Sequence, residues 1–166
     1  MASDAENSNA PRFEFRFRTM TEADAQVIAA WKYPAEYSFY DFMSDPDDLA
    51  ELLDPIARAD EYFAVDNSEE TLIGFFQYKR PHGSSLGIGL GLHPDWTGRG
   101  FGRRFLEAGL DYGRRSFAPE QYTLSVATFN RRAITVYERA GFAIVRTFNH
   151  RTNGREWEFV EMRRPA

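Results

Sequence analysis

The chain has 166 residues, no cysteine and a formal net charge of −5, with 43% of its side chains hydrophobic and 16% aromatic. This length and composition suit one domain with a sizeable core, and they exclude disulfides, thiolate catalysis and cysteine-ligated metal. The acidic balance argues against nucleic acid as a partner, and no run approaches the ~18 uninterrupted apolar residues of a membrane span.

In chain order, residues 1–10 are polar and acidic with no apolar segment, so they read as a disordered tail and not an export signal. The expected location is therefore cytoplasmic, and 11–166 reads as a single domain. Residues 13–18 alternate Phe13, Phe15 and Phe17 with Glu14, Arg16 and Arg18, the pattern of a half-buried strand. Thr21 with Asp24 three positions on predicts a capped helix to about Trp31, with Val27, Ile28 and Trp31 inward. Residues 32–43 are aromatic and broken by Pro34, which suits a loop or short helical turns lining a groove. Asp45-Pro46 opens a second helix whose stripe is Leu49, Leu52, Leu53 and Ile56.

Strands are expected at 61–66 and 71–80 about a turn at 67–70, and a second turn at 81–84 leads to a strand over 85–93. Pro94, Asp95 and Trp96 break that strand. A helix follows to Phe117, with Phe101, Phe105, Ala108 and Tyr112 in one row and Leu106 and Leu110 beside it. A strand at 122–127 precedes a helix from Asn130 to a cap at Gly141. Strands at 142–150 and 156–163 are joined through Asn153-Gly154, a strong hairpin signal. The order predicts an α/β fold: a mixed central sheet of about seven strands with helices on both faces.

The stretch from Leu86 to Phe117 carries the chemistry. A strand, a glycine-rich bend and a helix start make an anion site, because the first amides of a helix lack internal partners and sit at the positive end of its dipole. Glycines at 98, 100 and 102 remove the Cβ atoms that would hold a phosphate off those amides, although a tight turn needs glycines too. The spacing does not fit the dinucleotide fingerprint, and no Lys-Ser/Thr pair follows as a P-loop requires. Charge follows the same division. Residues 1–98 hold 7 basic and 18 acidic side chains, net −11, whereas 99–132 hold 7 and 3, net +4. A ligand with several phosphates would need such a basic region.

The run Thr97-Gly98-Arg99-Gly100-Phe101-Gly102 resembles the acyl-CoA-binding motif of the GCN5-related N-acetyltransferases, the GNAT family, with Thr97 where Arg or Gln is usual. Downstream, Asn130, Ala133, Tyr137 and Gly141-Phe142 fall at positions where family members often carry the same residues. The resemblance covers roughly 12–163 and implies the GNAT fold, with its strand before the glycine loop bulged and splayed from the next.

It further implies an acyl-CoA-dependent N-acetyltransferase with acetyl-CoA as cosubstrate, attacked directly by a primary amine. The pantetheine arm would pair with backbone groups of Leu90, Gly91 and Leu92, with Gly87 and Gly89 also permitting close approach. Amides from Gly98 to Gly102 would hold the pyrophosphate, aided by charge from Arg99, Arg103 or Arg104. Asn130 would bond the cofactor or serve as a helix cap, and Tyr137 would protonate the leaving thiolate or merely pack. The base stays open among His93, Glu36, Tyr40, Asp41 and water, since the strand before the glycine loop has no acidic residue.

The acidic first half and the aromatic 31–42 segment suit a cationic small-molecule or peptide amine, or simply fill core and surface. The three histidines show no metal spacing, so no metal is expected. A homodimer through a sheet edge is compatible with this reading. The competing reading is a non-catalytic acyl-CoA-binding or sensing module.

Overall fold

A computed structural model describes residues 14–80 and 83–166. The tail expected at 1–10, Phe13 of the first strand and Pro81-His82 of the second turn lie outside the described residues. The strands are β1 (Arg16–Thr19), β2 (Tyr62–Asp66), β3 (Leu72–Lys79), β4 (Ser85–Leu92), β5 (Gln121–Ala127), β6 (Ala143–Thr152) and β7 (Arg155–Pro165). The helices are α1 (Glu22–Ala29), α2 (Pro46–Leu53), α3 (Pro55–Arg58), α4 (Gly102–Phe117) and α5 (Arg131–Arg139). The strands form one seven-stranded sheet in the order β1-β2-β3-β4-β5-β7-β6. Every neighbouring pair is antiparallel except β4 and β5, which run parallel.

Strand alternation sends side chains to two cores. Phe76, Tyr78, Leu86 and Ile88 pack with Phe105, Leu106 and Leu110 of α4 and Ile134 of α5. Tyr62, Ala64 and Phe75 pack on the other face with Ala25 and Ile28 of α1 and Leu52 of α2. The predicted α/β sheet with helices on both faces is what forms. Among the described residues no helix is long and apolar enough to cross a membrane.

The capped start of α1 forms as expected, with Thr21 and Asp24 bonding each other's backbone amides. Ile28 and Trp31 are buried as expected, together with Ala25 and Ala29, whereas Val27 is 53% exposed. Ile56 is 85% exposed as well. Asp54 adopts an extended conformation before Pro55, ends α2 and caps α3 through its own side chain. On α4 the buried stripe is Phe105, Leu106, Gly109, Leu110 and Gly113, displaced from the expected row. A Cβ on Gly109 would lie 2.1 Å from the Phe76 ring, so that glycine lets the helix settle onto the sheet. The Tyr78 and Tyr122 hydroxyls donate to the Gly109 and Leu110 carbonyls, at 2.7 and 2.5 Å, and fix its height. Asn153 and Gly154 both take positive φ, as a two-residue hairpin turn requires.

Candidate active site

β4 and β5 pair only at Ser85, Leu86 and Gly87 against Gln121, Tyr122 and Thr123. Beyond that point β4 stays with β3, β5 stays with β7, and the sheet splits. The bulge expected in β4 is absent: its register with β3 runs unbroken from Gly87 to Leu92. The splay alone opens the gap. His93 N donates to Ile73 O, which fixes the alternation of the ladder. Ile88, Leu90 and Leu92 therefore turn their amides and carbonyls toward the gap, and Gly87, Gly89 and Gly91 turn theirs to β3. Gly91 thus departs from expectation. Its backbone serves the sheet, and its missing Cβ makes room for the Phe75 ring, which would otherwise approach to 2.3 Å. A Cβ at Gly87 or Gly89 would meet only ordinary contacts, with Lys79 and Gln77 of β3.

A cavity of about 800 Å³ occupies the split. On the α4–α5 side it is lined by Leu90, Leu92, Thr97, Gly98, Gly100, Gly102, Asn130 and Tyr137, with Arg103 and Arg132 among them. Gly98 and Gly100 take φ of +69° and +82°, which L side chains rarely adopt. The start of α4 differs from the other long helices on the opposite face. α1 and α2 open with a capping side chain and acidic first turns. α4 has no side-chain cap and no acid in its first turn, and Arg103 and Arg104 stand there instead. Uncapped amides at the positive end of a helix favour an anion, and Arg103, paired with Glu107 at 3.1 Å, lines the cavity beside them. That is the test of fit for a phosphate-bearing cosubstrate, and the residues pass it.

Two expected members stand outside the lining. The Arg99 guanidinium lies over the Trp96 and Phe101 rings and donates to the Asp95 carbonyl, so it braces the bend. Phe101 packs its ring on Trp96 at 5.1 Å. Thr97 lines the cavity, and its hydroxyl is spent on Pro94 O at 2.7 Å. Arg132 is the residue the sequence reading missed. Its guanidinium sits 4.2 Å over the Tyr37 ring and 3.8 Å from where a Gly98 Cβ would lie, spanning the glycine bend and the aromatic segment. Its place two residues after the Asn130 cap was the available signal.

At the centre, Asn130 caps α5 by accepting from Ala133 N, and its Nδ2 donates to the Tyr40 hydroxyl at 3.1 Å. Tyr137 stands beside them on α5, its ring edge-on to Phe142. Burial, with the nearby Tyr40 hydroxyl second, holds the Tyr137 phenol well above its ordinary range. It is therefore a protonated donor at neutral pH.

The opposite side of the cavity is built from the segment at 33–42, which forms short 3-10 turns as anticipated. The Tyr33 hydroxyl donates to Leu92 O, and Asn153 Nδ2 donates to Phe39 O. Asp45 caps α2 and also accepts from Thr152 Oγ1 and Asn153 N. Led by the Thr152 hydroxyl, these bonds hold its carboxyl down at about 2. Asp41, Asp48 and Glu51 line this side, with Lys79 paired to Glu51 at 2.8 Å. His93 and Glu36 do not line it. The His93 Nδ1 accepts from Asp95 N and its ring meets Trp31, so it caps a turn. Among the described residues no group of His, Asp or Glu could hold a metal ion.

The model of the acetyltransferase (GNAT) domain matches residues 14–143. This chain belongs to the GNAT acetyltransferase family. Mycothiol acetyltransferase of Propionibacterium freudenreichii subsp. shermanii is 40% identical over 83 residues, which are 46% of this chain and 26% of that protein. The chain thus spans about a quarter of that curated relative's length. Among solved structures, a chimera of Vibrio cholerae spermidine N-acetyltransferase and hSSAT superposes with a TM-score of 0.75 at 22% identity, over 91% of this chain and 95% of that one. A spermidine N-acetyltransferase from Vibrio cholerae in complex with CoA and spermine gives 0.72 at 22%, over 91% and 95%. A GNAT acetyltransferase from Bacillus anthracis gives 0.72 at 15%, over 91% and 94%. At these identities the likeness establishes the GNAT fold.

Proposed function

We propose that this GNAT chain moves an acetyl group from acetyl-CoA to a cationic primary amine. One observation carries the reading. The split between β4 and β5 joins an uncapped, arginine-bearing helix start on one side to an acid-lined aromatic wall on the other. A polyanion suits the first and an ammonium the second.

In this reading the amides from Gly98 to Gly102 hold the pyrophosphate, with Arg103 and Arg132 supplying charge. Leu90 and the amide of Leu92 offer backbone groups to the pantetheine arm, while the Leu92 carbonyl is already met by the Tyr33 hydroxyl. The bound thioester supplies the acetyl group and a thiolate leaving group. The amine nitrogen bonds to the carbonyl carbon, the C–S bond breaks toward sulfur, and Tyr137 gives its phenolic proton to that sulfur. The ammonium form of the acceptor first gives one proton to solvent, and the second, released from nitrogen as the C–N bond forms, passes to the Tyr137 phenolate and restores it. Asp41, Asp48 and Glu51, with the rings of Tyr33, Tyr37 and Phe42, suit an acceptor with a second positive charge, and polyamines belong to that class.

The test is to incubate the protein with acetyl-CoA and a panel of amines (spermidine, an amino-acid amide, a short peptide) and follow free thiol. Release that requires an added amine is the expected result. Tight acetyl-CoA binding with no release across the panel would replace this reading by the sensing module, which the absence of a carboxylate on β4 favours.

A further inference from the structure

We propose that Tyr40 is a second catalytic phenol, whose hydroxyl donates to the thioester carbonyl oxygen and stabilises the negative charge that gathers there. The inference rests on the acetyl-transfer reading and begins with the orientation of one amide. Asn130 Oδ1 is taken by the amide of Ala133, so the other end of the group, Nδ2, must face Tyr40. That nitrogen is a donor only. The Tyr40 oxygen therefore accepts from Asn130, and the backbone of Ala127 acts on it in the same sense. Asn130 Nδ2 cannot receive the single Tyr40 hydrogen, and the Ala127 carbonyl already accepts from the Asn130 amide. Among the described residues that hydrogen meets no protein acceptor, and the side chain lines the cavity.

The chemistry of a fixed donor narrows what it can meet. An ammonium has no lone pair to accept the hydrogen. A neutral amine would lose its nucleophilic lone pair by accepting it. The sulfur is served by Tyr137 in the proposed reaction. The remaining acceptor is the carbonyl oxygen, whose demand for a hydrogen bond grows as the C–N bond forms. Burial, ahead of all other influences, keeps the phenol protonated, so it acts as a donor and not as the base considered from the sequence.

The arrangement is also stiff. Phe39, Phe129 and Trp157 surround the segment with ring contacts at 4.9 to 6.2 Å, and Asn153 holds the Phe39 carbonyl. A donor that need not reorganise during the reaction is the more effective for it. Asn130 then has two tasks, starting α5 and aiming Tyr40, and only an amide, not a carboxylate, can do both.

The experiment is infrared spectroscopy of acetyl-CoA labelled with carbon-13 at the carbonyl, bound to the native chain and to Tyr40→Phe, with affinity and melting temperature measured alongside. In the native complex the carbonyl band is expected below its position in free acetyl-CoA. In Tyr40→Phe it is expected to return toward the free value, with affinity within about twofold and a melting temperature lowered only as far as loss of the Asn130 bond requires, and kcat should fall about 10²-fold with the best amine of the panel. A native band at the free position, or the same shift in both proteins, would overturn the assignment. This readout needs no amine. A failed panel would therefore end the acetyl-transfer reading while the band still judged Tyr40, and a normal panel with an unmoved band would do the reverse.

Discussion

The two ends of the cavity are made of different material. The glycine end is backbone: positive-φ glycines, bare helix amides and strand groups left over by a split ladder. The aromatic end is side chain: rings and carboxylates on short turns, held from outside by the β6–β7 hairpin. A backbone site recognises what every coenzyme molecule shares, and its geometry tolerates little change. A side-chain site is free to vary with the acceptor. The contrast predicts that substitutions at the glycine end and centre strike binding or turnover for every amine, while those at the aromatic end discriminate among amines.

The largest effect is expected from Tyr137→Phe, which should lower turnover about 10²- to 10⁴-fold while acetyl-CoA affinity, measured calorimetrically, barely moves. Unchanged turnover would reduce Tyr137 to packing. Next comes Gly100→Val. Among the described residues no atom beyond its chain neighbours lies within 4 Å of the added Cβ, but φ is +82°. Strain of about 1–3 kcal/mol, together with bulk at the phosphates, should weaken CoA binding roughly 10- to 100-fold. Equal affinity would remove the bend from the site.

Arg132→Ala should weaken CoA about 10-fold, and the loss should shrink as salt rises, because the contact is electrostatic and partly exposed. Asp45→Asn tests the other end. With its carboxyl held down at about 2, the group stabilises the fold above about pH 4, and that contribution is lost as pH falls toward 2. The variant should therefore melt lower than the native chain at pH 7, by about 1 kcal/mol, and match it near pH 2. Its acceptor KM should rise more than its CoA dissociation constant. The smallest change is expected from Glu51→Gln, a few-fold rise in KM confined to dicationic amines, since Lys79 already neutralises part of its charge.

The same contrast decided what could be read from the residues. Backbone sites need glycine at fixed intervals, so Gly98, Gly100 and Gly102 stood out by spacing as an anion site or a tight turn, whereas Asn130 and Tyr137 entered the site only through the family resemblance. The β4–β5 gap was legible only through the family resemblance, because nothing in the residues of β4 says where its partner leaves. Gly91 was misassigned for the same reason: alternation along β4 is visible in sequence, but not which set of amides β3 takes. Arg132 was hidden because a lone cation has no periodic signature, and Tyr40 was readable only as a possible base because an aromatic run does not show what its hydroxyls meet. Asn130 gave no hint that its spare amide reached across ninety positions to Tyr40. Ile56 was a readable miss, since the Asp54-Pro55 step is a known point of helix termination.

The three-pair ladder between β4 and β5 gives the molecule a seam. Two blocks of sheet meet there with few rungs, and the remaining rungs must come from whatever lies in the crevice. An occupant that supplies them does the work of a missing strand, so filling the crevice should raise the melting temperature in step with ligand concentration. It should also slow amide exchange along the inner edges of both strands. The chain would then be stitched shut by the molecule it consumes and loosen each time the product leaves.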